Sequence, residues 1–472
     1  MFERRLAGFL LVALIGVSCV SSAQEPAVPV SPPGEAPAPP ASLTPSPAPA
    51  VSAATPAEAS LPLDDIRVFV EVFHKVKRDY VEEVSDKQLL EDAIKGMLAG
   101  LDPHSSYLDG EEYSELQEGT TGEFGGLGIE VGTEDGLIKV ISPIDDTPAA
   151  RAGILAGDTI IRIDGAPVRG MSSSDAIKKM RGKVGSKIAL SIMREGRAKP
   201  LDVTIVRAVI RIQSVRSREL APGFGYVRIS AFQGHTGEDL VTELEKLKKN
   251  AHGSLQGLIL DLRNNPGGIL GAAVAVADAF MNSGRIVYTE GRVNDAKLEF
   301  AAKAPDLIDG APLIVLVNEG SASASEIVAG ALQDAKRAVL MGRRTFGKGS
   351  VQTILPMNNK AAIKITTARY FTPSGRSIQA RGIEPDIVID KIKVQAEEGT
   401  DGRTVSEAQL ERHLDNPTKA TPEKSDGAPA TSAVADADAR NKLATSDYEV
   451  YEAFNLLKGM ALLKTRSAAV AP

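Results

Sequence analysis

Ser321, Ser323 and Ser325 alternate within Asn318-Glu-Gly-Ser-Ala-Ser-Ala-Ser-Glu326, and Lys348 follows Ser323 by 25 residues inside Thr345-Phe-Gly-Lys-Gly-Ser-Val-Gln352. A serine and a lysine can do acyl-transfer chemistry together, because a hydroxyl becomes a good nucleophile only when a base removes its proton. A lysine is that base only when neutral. Its free pKa is about 10.4, and burial brings catalytic lysines down to roughly 7–8. Phe346, Gly347 and Gly349 add no charge beside Lys348, and the glycines permit tight enclosure. Gln352, four residues on, can accept from the amine through its side-chain carbonyl while staying neutral. A carboxylate there would hold the lysine protonated.

The flanking residues supply the positioning. Pro312-Leu-Ile-Val-Leu-Val317 is a continuous apolar run, the pattern of a strand buried on both faces. Ser325 to Asp334 has helical spacing, with Ile327, Ala331 and Leu332 near one face. The serines thus sit where a buried strand gives way to a helix, whose free N–H groups and partial positive charge suit a developing oxyanion. Ser323 with Glu326 also reads as a capping box, a purely structural use of the same serine. Residue types alone leave the choice among the three serines open.

Taken together, Ser-Ala-Ser-Ala-Ser-Glu-Ile and Thr-Phe-Gly-Lys-Gly-Ser-Val-Gln resemble the carboxyl-terminal processing proteases, PDZ-containing serine peptidases of family S41 with a Ser-Lys pair. The resemblance implies Ser323 as nucleophile, Lys348 as general base and then acid, and Gln352 as orienter. It covers roughly residues 65–390. Asp261-Leu-Arg-Asn-Asn-Pro-Gly-Gly268 resembles the family's oxyanion element, with Pro266 where a third glycine is common. Backbone N–H groups of Gly268 and Ala324 are the implied oxyanion donors. Leu101-Asp-Pro-His-Ser105 also matches the family, and His104 reads as a structural turn residue.

The resemblance sets the domain order expected here. The fold class is α/β multidomain: a helical N-terminal region (62–118), a PDZ domain (119–208), an α/β crotonase/ClpP-like protease core (209–390), a polar linker (391–445) and a C-terminal helix (446–465). In the N-terminal region Ile66, Phe69, Val70, Phe73, Val76 and Tyr80 recur at helical spacing. A second helix follows the Ser85/Gln88 capping box and ends at Gly100, with Leu89, Leu90, Ile94, Met97 and Leu98 expected inward. Gly126, Leu127, Gly128 and Ile129 resemble the PDZ loop and strand that receive a peptide C-terminus, backbone N–H groups holding its carboxylate while the ligand adds a strand. Ser142–Gly153 and Gly157–Gly165 continue that likeness. The core alternates strands (226–229, 257–263, 362–366) with helices, the pattern of a layered α/β domain. The terminal helix, with Tyr448, Tyr451, Phe454 and Leu457 on one side, must dock on its own chain or on another subunit, and a second subunit is slightly preferred.

The remaining features bound the setting. Arg4 and Arg5 precede an apolar run from Leu6 to Val20 and then Ser-Ser-Ala23, a secretory leader with cleavage after Ala23. Lipidation of Cys19 is the alternative, though Gly16 stands where a lipobox takes leucine. Residues 24–61 are Pro, Ala and Ser, an extended tether. The net charge is −7; the first 23 residues contribute +1 (Arg4, Arg5, Glu3), leaving −8 for the rest, and no basic-aromatic cluster invites nucleic acid. Cys19 is the one cysteine, so no disulfide is expected. His74, His104, His235, His252 and His413 lack ligand spacing, so no metal or other cofactor is expected. The expected function is an exported, periplasmic serine endopeptidase that takes proteins with apolar C-termini, forms a homo-oligomer and works with an adaptor protein where one is needed.

Overall fold

The computed structural model describes residues 62–134, 136–303, 305–392, 394–395, 412, 414 and 441–470. The expected leader, the tether and most of the polar linker lie outside the described residues.

The sheet that carries the core is built from the apolar runs. Its six strands lie in the order Val215–Ala221, Phe224–Ile229, Gly257–Asp261, Leu313–Val317, Val339–Gly342 and Ile387–Val388. The first pair is antiparallel and the others are parallel. Gly257–Asp261 and Leu313–Val317 are buried at every position, as strands covered on both faces must be. Their side chains alternate between two cores. Leu258, Leu260, Leu313, Val315, Val317 and Leu340 face the cluster formed with helices Thr236–Asn250, Leu270–Asp278 and Ala324–Asp334. Ile259, Ile314, Leu316 and Met341 face the opposite side.

That opposite side is covered by the chain's own terminal helix, Tyr448–Val470, through Val450, Ala453, Phe454 and Leu457. The preference for a second subunit is therefore replaced by docking on this sheet. The apolar face of the helix found an apolar sheet face of its own chain, a match that helical periodicity alone does not reveal.

A second sheet orders Ser106–Leu108, Ala362–Phe371, Arg285–Gly291 and Glu299–Ala301, with Ser350–Pro356 also paired to Ala362–Phe371. The PDZ-like sheet comprises Ile129–Glu134, Leu137–Pro143, Thr159–Ile163, Lys187–Met193 and Leu201–Val206, with the short Ala166–Pro167 also paired to Thr159–Ile163, around its own apolar core. Glu123–Gly126 pairs with Ala208–Arg211, so the chain enters and leaves this domain as two adjacent strands.

The helix Leu63–Asp79 has no buried residue. The helix Asp86–Ala99 is capped by Ser85, which accepts from the Gln88 N–H. It buries Leu98, whereas Leu90 and Met97 lie at the surface. It packs in a small cluster with Tyr107, Ala361 and Ile363, too small a patch to cover all the apolar side chains expected inward.

Candidate active site

The strands Gly257–Asp261, Leu313–Val317 and Val339–Gly342 run parallel and side by side, so the loops that follow them leave the same end of the sheet. Those loops carry Arg263–Gly268, Asn318–Ser323 and Arg343–Lys348. Ligand sites in open α/β sheets form at such carboxyl ends.

The alternating serines separate by their hydrogen bonds. Ser321 Oγ donates to Leu262 O (2.8 Å) and accepts from Asn318 N–H (2.9 Å). Ser325 Oγ donates to Asn265 O (2.9 Å). Both hydroxyl protons are therefore spent on fastening the serine turn to the segment that follows the strand Gly257–Asp261. Ser323 has φ 53° and ψ −110°, a backbone that L residues rarely adopt. Its carbonyl accepts from Glu326 N–H (2.9 Å) and starts the helix, while the strained backbone sets the Ser323 side chain at the turn itself. The Tyr370 phenol interacts with that side chain; burial pushes the phenol up to about 12, and Ser323 opposes the shift.

Glu326 is the residue that sequence reasoning placed in a cap and nothing more. It is fully buried. Its Oε2 accepts from the backbone N–H of Ser323 (2.7 Å) and of Lys348 (2.9 Å), and its Oε1 from Gly347 N–H (2.7 Å) and Thr345 Oγ1 (2.5 Å). One carboxylate thus ties the backbones of the serine and the lysine together. Burial pushes its carboxyl up, and the four donors oppose the shift.

Lys348 is half-buried. Burial pushes its ammonium down, the nearby Lys364 charge pushes it further, and Glu326 opposes. Among the described residues no hydrogen bond joins Lys348 Nζ to Ser323 Oγ; Glu326 connects them through their backbones. Gln352 donates its amide to Ser350 Oγ (2.9 Å) and Thr366 Oγ1 (3.4 Å) rather than meeting Lys348 directly.

The Leu101–Ser105 segment sits behind this glutamine. Asp102 accepts from Thr366 Oγ1 (3.1 Å) and from Ser105 Oγ (2.6 Å), and Thr366 N–H donates to Ser105 Oγ (3.1 Å). His104 is half-buried, and burial and then the Lys348 charge push its imidazole down. It is therefore a neighbour of the lysine, held by its own N–H on Asp102 (2.8 Å). The turn reading captured that backbone bond and missed the neighbour.

The two glycines of the loop 263–268, expected to carry an oxyanion donor, differ. Gly267 N–H is committed to Asn265 Oδ1 (2.9 Å). Neither Gly268 N–H nor Ala324 N–H has an acceptor among the described residues. A Cβ on Gly267 would stand 2.8 Å from Ala322 O and 2.9 Å from Ser323 Cβ, so only glycine lets the two loops approach this closely.

The remaining candidates lie in the PDZ-like domain. Gly126, Leu127, Gly128 and Ile129 line an apolar groove of about 250 Å³ with Ile177 and Met180 opposite. Gly128 has φ 77°, and a Cβ there would drive into Thr147.

Comparison with known proteins settles the relationship. Residues 223–389 match the model of peptidase family S41, residues 125–205 that of a PDZ domain, and residues 47–112 that of the activating protease CtpB N-terminal domain. A carboxy-terminal-processing protease of Bartonella bacilliformis is 46% identical over 392 residues, 83% of this chain and 88% of that protein. The chain belongs to the S41 carboxy-terminal processing proteases. This S41 peptidase is a serine-type enzyme with its PDZ domain ahead of the catalytic core. Carboxy-terminal processing protease CtpB of Bacillus subtilis is 38% identical, covering 67% of this chain and 66% of that protein. Among solved structures, the photosystem II D1 C-terminal processing protease is 31% identical, covers 69% of the S41 peptidase described here and 92% of its own chain, with a TM-score of 0.41.

Proposed function

We propose that this peptidase is exported, captures the C-terminus of a protein in its PDZ groove, and cuts at or near that end with Ser323 and Lys348. The neutral Lys348 amine takes the Ser323 proton as Oγ attacks the scissile carbonyl. The N–H groups of Gly268 and Ala324 receive the oxyanion. Lys348, now an ammonium, returns the proton to the leaving amine, and the acyl-enzyme is hydrolysed by water activated in the same way. Gln352 orients the lysine, its carbonyl oxygen being the group that Ser350 and Thr366 leave unused.

The observation that carries this reading is the commitment of the Ser321 and Ser325 hydroxyls to loop carbonyls, beside a buried, strained Ser323 whose side chain meets the Tyr370 phenol instead of a loop carbonyl. The depressed Lys348 supports it from the side of the base. On the substrate side, the apolar walls of Leu127, Ile177 and Met180 suit an apolar terminal side chain beside the glycine loop. The leader pattern of residues 1–23 supports export, and the match to an activating protease's N-terminal domain supports control by a partner. Assembly into a homo-oligomer belongs to the same proposal.

The test is intact-mass analysis of a loosely folded protein with an apolar C-terminus, incubated with residues 24–472. Ser323→Ala and Lys348→Ala run beside the parent. The parent should release a C-terminal fragment and neither variant should. Cleavage that survives Ser323→Ala would remove Ser323 as nucleophile.

A further inference from the structure

The terminal segment carries more than an apolar face. Just before and within the start of the helix Tyr448–Val470, Asp447 and Glu449 enter a cluster of buried charges at the end of the sheet that holds the catalytic loops. Arg263 begins the oxyanion loop. Its Nη1 donates to Glu449 Oε2 (2.7 Å) and Asp447 Oδ1 (2.9 Å), its Nη2 to Asp447 Oδ2 (2.8 Å) and Asp261 Oδ2 (2.6 Å), and its Nε to Asp261 Oδ1 (3.0 Å). All five guanidinium donors are committed. The other oxygen of Glu449 takes Nη1 of Arg343, which begins the lysine loop. Arg343 Nε in turn donates to Glu319 (2.8 Å), which stands four residues before Ser323.

Glu449 therefore bridges two of the three loops directly and reaches the third through Arg343. The side chains of Arg263, Glu449 and Arg343 are only 12%, 14% and 17% exposed, so these are fixed, desolvated contacts rather than screened surface pairs. Asp447 and Glu449 lie outside the span that matches the S41 model, 223–389.

We propose that Glu449 is a positioning residue for catalysis: it sets the spacing between the oxyanion loop and the lysine loop, so the terminal segment is part of the catalytic apparatus. The inference rests on the assignment of Gly268 and Lys348 made above. A displacement of about 1 Å in a reacting group is enough to cost roughly 10²-fold in rate, and losing the carboxylate removes one contact from each of two arginines, the one direct bridge between their loops in this cluster among the described residues.

The experiment compares Glu449→Ala, Glu449→Gln and Leu457→Ala in residues 24–472. Leu457 is fully buried in the same helix and makes no ionic contact. The readouts are kcat and KM for the protein substrate and backbone amide exchange of residues 266–269 and 345–349. Glu449→Ala is expected to lower kcat at least tenfold, leave KM within twofold and speed exchange in both loops. Glu449→Gln should recover part of kcat, since an amide oxygen can still hold one guanidinium. Leu457→Ala should lower the melting temperature while sparing kcat and both loops. Parent-like kcat and loop protection in Glu449→Ala would overturn the proposal. So would an equal loss of kcat in Leu457→Ala, which would assign the effect to helix docking. If Ser323→Ala proves fully active, the nucleophile assignment fails, and loop exchange in Glu449→Ala still decides the role of the carboxylate.

Discussion

Lys348 can act as a base only where its surroundings disfavour the ammonium more than the amine. Burial is the larger cause and the Lys364 charge the second, both lowering its pKa. The sign follows directly: below that pKa the lysine is charged and inert, so kcat/KM should rise with pH along a limb whose midpoint lies below the free-lysine value of about 10.4. Lys364→Gln removes a neighbouring positive charge and lets the Lys348 pKa climb. The limb should move to higher pH, with the plateau rate kept and the neutral-pH rate lowered. A limb that stays in place would mean Lys348 is not the titrating base. Glu326 is tested at the same scale. In Glu326→Gln one carboxylate oxygen becomes an NH₂ that faces two donors, leaving two buried groups unsatisfied at about 1–3 kcal/mol each, or about 2–6 kcal/mol together. Denaturant unfolding should show that loss, and cleavage should fall with it; parent stability would contradict the four-donor arrangement.

At the scale of loops and strands, the close approach of residues 264–268 to residues 320–324 depends on Gly267. It has φ 103°, and an added Cβ would meet Ala322 O, Ser323 Cβ and Ala324 N within 3.0 Å. Gly267→Ala must therefore push the oxyanion loop off the serine. The expected cost in kcat is about 10²-fold or more, the scale of losing one oxyanion donor, while peptide binding in the PDZ groove stays unchanged. Retained kcat would show that the loops have room. The strands beneath these loops were legible in the sequence because burial on both faces leaves an unbroken apolar run, as at 313–317, and the serine turn because an apolar strand followed by small residues and a helical pattern has few alternatives. Other features were not legible. Glu326 reads as a cap since its remaining three donors come from residues 19 to 22 positions away. The support of Thr366, and through it Gln352, by Asp102 joins positions 264 residues apart, and the docking of Phe454 and Leu457 on Ile259 and Leu316 depends on which apolar face is left uncovered. Local periodicity carries none of these long-range pairings.

On the scale of the molecule, two sites divide the work. In the proposed function the PDZ groove, with glycines at 126 and 128 and apolar walls, holds a chain end, whereas the Ser323 site acts on the carbonyl brought to it. If the carboxylate of the substrate is what the glycine loop grips, its loss should be felt in capture rather than in chemistry. Hydrogen bonds to a charged group are worth about 1.5–3 kcal/mol, and about 1.4 kcal/mol is tenfold in affinity. A substrate whose C-terminal carboxylate is amidated should accordingly show a kcat/KM lowered at least tenfold. If the PDZ domain only delivers substrate, the whole loss falls in KM. If ligand binding also shifts the catalytic loops into working order, kcat falls as well, and adding a separate peptide with a free apolar C-terminus should restore it. Equal kcat/KM for amidated and free substrates would remove carboxylate capture from the proposed function and leave the groove as a site for internal segments.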